Sequence, residues 1–231
     1  MTAIPRRNIF VIVPAYNEEK VIQRTLTPLI DADYSVVVVD DGSRDSTWSI
    51  LLDLPVYALR HPINLGQGAA LQTGMTFALR QGAQVIVHFD ADGQHRAEDI
   101  DSLIQPILKG ESDVVCGSRF LRRADSSAVP LLKRCLLRCA RVFNGMMIGV
   151  WQTDAHNGFR ALSSAAAKRI CIHENGYAHA SELVRQIQRL GLRYVERPTA
   201  IIYSDYSKAK GQSPWNAFSI AIDLLLGRIF R

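Results

Sequence analysis

The first half of the chain alternates short apolar runs, rich in β-branched residues, with longer segments whose apolar positions repeat at helical spacing. Near-continuous apolar runs predict strands buried on both faces, and their alternation with amphipathic helices is typical of a parallel sheet. We therefore predict an α/β fold with a mostly parallel, Rossmann-like sheet and helices on both faces. The predicted strands span residues 9–13, 36–39, 56–59, 85–89 and 114–116, and the predicted helices span residues 18–30, 46–52, 68–80 and 97–108.

The second half of the chain has a different pattern. Residues 126–153 contain no acidic residue, yet basic side chains recur there between apolar positions. This predicts a basic amphipathic helix, which either lies on an anionic membrane surface or packs on the sheet with its basic face in water. A polar turn (153–158), a helix near 180–190 and a strand near 193–203 follow. The basic residues are Lys133, Arg134, Arg138 and Arg141.

We divide the chain into one α/β domain (1–212) and a C-terminal amphipathic helix (213–231) that contacts membrane, a partner or the core. Composition is that of a globular protein, with 48% hydrophobic and 21% charged residues. A net charge of +5 favours an anionic partner such as a nucleotide or a phospholipid surface. Four cysteines without a C-x-x-C pair indicate reduced thiols, and we expect a cytoplasmic protein because no secretory signal is evident.

Two carboxylates follow the fourth predicted strand, at Asp90 and Asp92. Side chains two residues apart on extended backbone point the same way, so these carboxylates can converge on one hard divalent cation that also binds a diphosphate. The alternative is a solvated acidic turn. Because the pair ends a buried strand, we favour the metal site.

Polar residues also follow the first two strands. In the segment 40–43, a carboxylate can accept hydrogen bonds from a base or a ribose, or the turn can end the strand while Ser43 or Asp45 caps the next helix. After the first strand, Tyr16 is placed to lie beside a base, and Asn17 is placed to N-cap a helix that begins at Glu18.

A glycine-rich turn at residues 64–68 opens the third predicted helix. Glycines there allow close approach of backbone to a phosphate or ribose. The turn is neither a P-loop nor a full G-x-G-x-x-G, which argues against a standard dinucleotide site.

Taken in order, these segments resemble glycosyltransferase family 2, in particular its dolichyl-phosphate mannose synthases and bacterial polyprenyl-phosphate glycosyltransferases. The resemblance implies a GT-A fold and a metal-dependent transfer, with inversion, of one sugar from a UDP- or GDP-sugar to a polyprenyl phosphate, for cell-envelope polysaccharide synthesis. The matching segments are 13–19, 39–47, 64–70, 90–95, 117–119 and 157–160.

The resemblance also implies roles by position. Mg²⁺ or Mn²⁺ would lie at Asp90, Asp92 and Gln94. Arg119 would face phosphates of donor or acceptor, Asp154 would lie at the reaction centre, and both would be catalytic together with Asp92. The nucleotide sugar would contact Pro14, Tyr16, Glu18, Val39, Asp41, Asp90, Ala91, Gln94, Lys208 and Lys210.

One segment departs from the family pattern. The closing loop commonly reads R-x-x-G-x-S-K, whereas here Lys208 takes the arginine place and Pro214 the final lysine place. A lysine cannot form the bidentate phosphate contact of an arginine, although Lys210 can compensate in part.

Other functions remain open at this point. A sugar hydroxyl acceptor would require a general base, for which Asp154 is the candidate. A non-catalytic nucleotide-sugar-binding subunit of a membrane complex is a second alternative. A nucleotidyltransferase is disfavoured because no glycine-rich basic loop follows the first strand, and nucleic-acid binding because no basic motif is interleaved with aromatic residues. We expect a peripheral protein at the inner face of the cytoplasmic membrane, with a small integral-membrane partner or a second copy of itself.

Overall fold

A mixed sheet organises the computed structural model, which describes residues 4–121, 153–154, 157–176, 178–200 and 202. Within these residues the strand order is β3-β2-β1-β4-β6-β5-β7. The predicted basic helix up to residue 152, the loop with Lys208 and Lys210, and the tail 213–231 lie outside the described residues. The strands are β1 (Ile9–Ala15), β2 (Ser35–Asp40), β3 (Tyr57–Arg60), β4 (Val85–His88), β5 (Val114–Ser118), β6 (Arg160–Ser163) and β7 (Tyr194–Pro198).

Strand directions place the polar segments at one edge. β1 is parallel to β2 and β4, and β2 is parallel to β3. β6 runs antiparallel between β4 and β5, while β7 is parallel to β5. The carboxyl ends of β1, β2 and β4 therefore share an edge, which is where open α/β sheets bind ligands. We did not predict β6, because a four-residue strand that begins with an arginine has no apolar run.

The helices follow the predicted order with shifted bounds. The first begins at Ile22 rather than Glu18, because the Glu18 carbonyl accepts hydrogen bonds from the backbone amides of Val21 and Ile22 in a preceding turn. The interpretation of Asn17 as an N-cap is therefore wrong. The helices are α1 (Ile22–Asp31), α2 (Thr47–Leu52), α3 (Gln67–Arg80), α4 (Asp99–Leu108), α5 (Ser164–Ala167) and α6 (His179–Arg189), and a 3-10 turn covers Arg6–Asn8.

Two apolar layers cover the sheet. Val11 and Val13 pack with α1 and α4 on one face, whereas Phe10 and Ile12 pack with α3 and α6 on the other. Helix α3 lies directly on β1. Gly74 allows this close approach, since a Cβ atom at that position would be 2.3 Å from Cγ2 of Ile12. None of the helices in the described residues has both the length and the apolar content to cross a membrane.

Candidate active site

The loops after β1 and β2 form one unit. Asn17 has a φ of 54°, in the left-handed region that asparagine tolerates better than most residues. This conformation lets its backbone amide donate to Ser43 Oγ (2.9 Å), while its side-chain oxygen accepts from the amide of Arg44 (2.9 Å). Tyr16, predicted to lie beside a base, is 37% exposed next to this junction.

Asp45 completes the junction, and its carboxylate satisfies the first backbone amide of helix α2, whose N-cap residue is Ser46. Its carboxylate accepts from the amide and the hydroxyl of Thr47 (3.0 and 2.6 Å), the first residue of the helix. It also accepts from the amide of Glu19 (3.2 Å), and the Thr47 hydroxyl accepts from the amide of Glu18 (2.8 Å). Burial acts to raise the pKa of Asp45, but these hydrogen bonds outweigh it and lower the pKa.

Asp41 anchors the glycine-rich turn. Its buried carboxylate accepts from the backbone amides of Leu65 (2.9 Å) and Gly66 (2.7 Å). His61 Nδ1 lies 2.7 Å from the same carboxylate, and its Nε2 lies 3.0 Å from Thr73 Oγ1 on α3. Asp41 therefore holds the turn against the end of β2, and its contact with a nucleoside stays a prediction.

The glycines of that turn allow another segment of the chain to approach closely. A Cβ atom at Gly66 would lie 2.3 Å from the carbonyl oxygen of Asn175, and one at Gly68 would lie 2.0 Å from that of Glu174. The Gly68 amide donates to the Asn175 carbonyl at 2.8 Å. The close approach seen here is thus to residues 174–175, while approach to a phosphate or ribose stays a prediction.

Pro14 and Val39 are paired in register across β1 and β2. The side chain of Val39 is fully buried and faces Gly74, so only its backbone can meet a nucleotide. Glu18 is also buried, at the junction described above.

Asp90 is held from three sides. His95 Nε2 lies 2.8 Å from Oδ2, and Gln67 Nε2 donates to Oδ1 at 3.1 Å. On a third side a Cβ atom at Gly158 would lie 2.7 Å from Oδ2. Burial acts to raise the pKa of Asp90, but the hydrogen bond from His95 and nearby positive charge, including Arg160, lower it.

Asp92 lies on the other side of Ala91, and its two oxygens accept from the backbone amide (3.0 Å) and the side-chain amide (2.7 Å) of Gln94. Burial, and then the negative charge of Asp90, raise the pKa of Asp92 to about 6. Two carboxylates that repel each other in a half-buried setting are stabilised when a cation binds to them.

The donor set suits a hard cation only in part. Within the described residues, no three His, Cys, Asp or Glu side chains are grouped to hold a metal. Asp90, Asp92 and the amide of Gln94 fit Mg²⁺ or Mn²⁺ as an open site, because Mg²⁺ typically takes one or two carboxylates and completes its shell with water and substrate phosphates. The residues present therefore fit the predicted metal as an incomplete set of ligands, and binding of Mg²⁺ or Mn²⁺ stays a prediction.

Arg119 and Asp154 form a second centre, after β5. The Arg119 guanidinium donates to both Asp154 oxygens at 2.6 Å, and its backbone amide donates to Oδ2 at 3.1 Å. Arg119 is 7% exposed and Asp154 is 3% exposed. Both residues were predicted functional, and the structure brings them together as a buried ion pair.

The segment 157–159 runs from one centre to the other. Gly158 leaves no room for a Cβ atom beside Asp90, and the carbonyl of Phe159 accepts from the amide of Gly117 on β5 at 2.8 Å. The Asn157 side chain accepts from the Phe159 amide (3.1 Å) and donates to Thr199 Oγ1 (3.3 Å).

Gln67 and His95 were not predicted as site residues, although both lie in segments that match the family pattern. Their contacts with Asp90 cross 23 and 5 residues of chain. In the sequence, His95 is a polar residue close to two carboxylates and Gln67 is a polar residue at the start of a helix. Both patterns are also typical of solvent-exposed turns.

His88 lowers the stability of the fold, and a substitution can remove this effect. Its side chain is fully buried, neither ring nitrogen has a hydrogen-bond partner, and burial lowers its pKa to about 3. We expect His88→Met to raise the free energy of unfolding by about 1 kcal/mol, because an unpaired buried polar group costs about 1–3 kcal/mol and the volumes are similar. Urea unfolding at pH 7 measures this, and a decrease in stability would contradict it.

Comparison with known sequences places these features in a family. Residues 10–171 match the family described as "Glycosyl transferase family 2". The UDP-N-acetylglucosamine–dolichyl-phosphate N-acetylglucosaminyltransferase of Methanococcus voltae is 33% identical, over 94% of this chain and 95% of that protein. The undecaprenyl-phosphate mannosyltransferase of Micrococcus luteus is 29% identical, over 87% of this chain and 86% of that protein.

Solved structures agree on the fold. S. aureus TarS, residues 1–349, superposes with a TM-score of 0.56 at 20% identity. The match covers 94% of this chain and 65% of that one, and it confirms the predicted GT-A-type α/β fold. The chain belongs to glycosyl transferase family 2.

Proposed function

We propose that this protein transfers one sugar from a nucleotide-diphosphate sugar to a polyprenyl phosphate, with inversion at the anomeric carbon. The observation that carries the choice of acceptor is the buried Arg119–Asp154 pair. Both Asp154 oxygens already accept hydrogens from the Arg119 guanidinium, so the carboxylate is engaged in this ion pair and is not directed at a hydroxyl of an acceptor. Asp154 is therefore a poor general base.

An acceptor phosphate removes the need for a base. A phosphate monoester is already anionic near pH 7, so its oxygen can attack once it is positioned, whereas a sugar hydroxyl must lose a proton. The named activities of the M. voltae and M. luteus relatives, one on a dolichyl phosphate and one on an undecaprenyl phosphate, support the same class of acceptor.

The residues of this chain divide the work between donor and acceptor. The junction of the first two loops, with Tyr16 at its surface, holds the nucleoside. Asp90, Asp92 and Gln94 would hold Mg²⁺ or Mn²⁺, which would supply positive charge to neutralise the departing nucleoside diphosphate. Arg119, fixed by Asp154, faces the phosphate of the acceptor or donor. Lys208 and Lys210, which lie outside the described residues, would stabilise the leaving diphosphate.

Association with the membrane follows from the lipid acceptor. We propose that the basic segment 126–153 and the tail 213–231 attach the protein peripherally to the inner face of the cytoplasmic membrane, alone or through a membrane partner or second copy. Co-sedimentation with anionic vesicles tests this. Failure to bind them, unchanged by removal of the tail, would contradict direct attachment.

The acceptor is tested by offering the same polyprenyl chain with either a phosphate or a hydroxyl at its end. Full-length protein is incubated with Mn²⁺, a panel of UDP- and GDP-sugars, and either a short polyprenyl phosphate or the matching polyprenol. We expect a glycolipid only from the phosphate, with inverted anomeric configuration by NMR. Equal transfer to the alcohol, or retained configuration, would contradict the proposal.

The metal assignment predicts the behaviour of Asp92→Ala. The wild type is expected to gain about 2.7 kcal/mol of stability at a hundredfold excess of its nucleotide over Kd, with Mn²⁺ present. Asp92→Ala is expected to lose the Mn²⁺-dependent part of this gain, measured as thermal shifts with UDP, GDP and dTDP. The matched control is Asp53→Ala, an exposed carboxylate at the end of α2 that should behave as wild type. An unchanged shift in Asp92→Ala would contradict the assignment.

A further inference from the structure

His95 occupies an aromatic pocket directly behind the metal-site carboxylates. Its ring stacks on Phe159, with centroids 4.9 Å apart and planes at 24°, and meets the edge of Phe89 at 5.5 Å and 68°. The residue is 7% exposed. Contacts on two sides restrict the plane of the ring, and the hydrogen bond to Asp90 then sets the position of Nε2.

The hydrogen-bonding pattern of this ring is one-sided. Nε2 lies 2.8 Å from Asp90 Oδ2, and a carboxylate oxygen can only accept, so Nε2 carries the hydrogen. Nδ1 is buried and has no hydrogen-bond partner. A phenylalanine would fill the same pocket without leaving a buried nitrogen unsatisfied, so packing alone does not account for an imidazole here.

We propose that His95 is a positioning residue that holds Asp90 in the orientation required to bind the divalent cation; this inference rests on the proposed function. Two neighbouring residues restrain the other sides of the Asp90 carboxylate. Gln67 donates to Asp90 Oδ1, and Gly158 limits movement of the carboxylate on another side. With Oδ2 fixed by His95, Asp90 is restrained before a cation arrives, and such outer contacts orient metal ligands in many sites.

Two variants separate the donated hydrogen from the shape of the ring. His95→Phe keeps an aromatic ring between Phe89 and Phe159 but has no donor. His95→Gln loses the ring but offers a side-chain N–H at the position of Nε2. We expect His95→Phe to weaken nucleotide-dependent Mn²⁺ binding by about 10–100-fold, and His95→Gln to recover a large part of the loss. Free Mn²⁺ is measured by electron paramagnetic resonance with UDP or GDP present, alongside the melting temperature without metal.

The outcomes distinguish this inference from the function on which it rests. A wild type that binds no Mn²⁺ with any nucleotide would contradict the proposed function and this inference together. If the wild type binds Mn²⁺ and His95→Phe binds it with the same affinity, the role of His95 is contradicted and the proposed function is not. A His95→Gln as weak as His95→Phe would contradict the proposal, because a donated hydrogen without the ring would then fail to position Asp90.

A readout on metal-free protein completes the test. In protein labelled with ¹⁵N-histidine, we expect the Nε2 proton of His95 to give a slowly exchanging resonance that is lost in Asp90→Ala. Rapid exchange of that proton in the wild type would contradict the proposal, because it would show that the hydrogen bond to Asp90 does not persist in solution.

Discussion

Replacing Asp154 with alanine is expected to lower the free energy of unfolding by about 3–5 kcal/mol, the usual cost of removing one partner from a buried ion pair. Asp154 is 3% exposed and accepts three hydrogens from Arg119, two of them from the guanidinium. The variant leaves the Arg119 guanidinium in its buried position without that carboxylate. Urea unfolding monitored by circular dichroism measures the loss.

The chain offers a matched control at its surface. Asp113 also accepts two hydrogens from one guanidinium, that of Arg193, at 3.1 and 2.9 Å. The Arg193 side chain is 59% exposed, so water replaces the lost contact in Asp113→Ala. We expect a much smaller loss there, because exposed ion pairs contribute little to stability. Equal losses at the two positions would contradict the importance of burial.

The same pair is expected to act as one unit in transfer. If Asp154 serves by holding Arg119, then Asp154→Asn and Arg119→Lys disturb the same contact with the acceptor phosphate. Their losses in kcat/KM with polyprenyl phosphate should then be far from additive in the double variant. Additive losses would show that Asp154 has a separate role, such as proton removal, and would favour a hydroxyl acceptor.

The sequence was sufficient for the parts of this site that local chain patterns control. The apolar runs at 36–39 and 85–89 are long enough to predict buried strands, and acidic residues directly after them must lie at the carboxyl edge of a parallel sheet. The structure places Asp41 and Asp90 at that edge, after β2 and β4. The mixed sheet itself was predicted in outline, without its antiparallel strand.

Contacts between distant residues were beyond this reasoning. Asp154 and Arg119 are separated by 35 residues. The residues around neither position in the sequence indicate that the Arg119 guanidinium donates to both Asp154 oxygens. Asn17 was predicted to cap a helix from its own sequence context, but its partner is the backbone of Arg44 in another loop. In both cases a side chain satisfies a polar group that only the folded sheet brings near, so periodicity and spacing carry no information about it.

Gly158→Ala is the second substitution with a large expected effect, and it acts on Asp90 without changing any charged group. A Cβ atom at this position would lie 2.7 and 2.8 Å from the two Asp90 oxygens and 3.1 Å from Cγ. Gly158 does not have a positive φ, so the alanine backbone is not itself strained. The clash must therefore displace the carboxylate, which His95 and Gln67 hold on its other sides.

We expect Gly158→Ala to reduce sugar transfer by about 10²-fold, the cost associated with misplacing a catalytic group by about 1 Å. The Mn²⁺-dependent thermal shift with nucleotide should fall with it. Gly176→Ala is the control, because a Cβ atom there has no neighbour within 4 Å. Wild-type transfer by Gly158→Ala would show that Asp90 can move freely, and the restraint attributed to His95 and Gln67 would then be of no consequence. Loss of transfer with normal Mn²⁺ binding would instead place the role of Gly158 at the acceptor, towards Arg119.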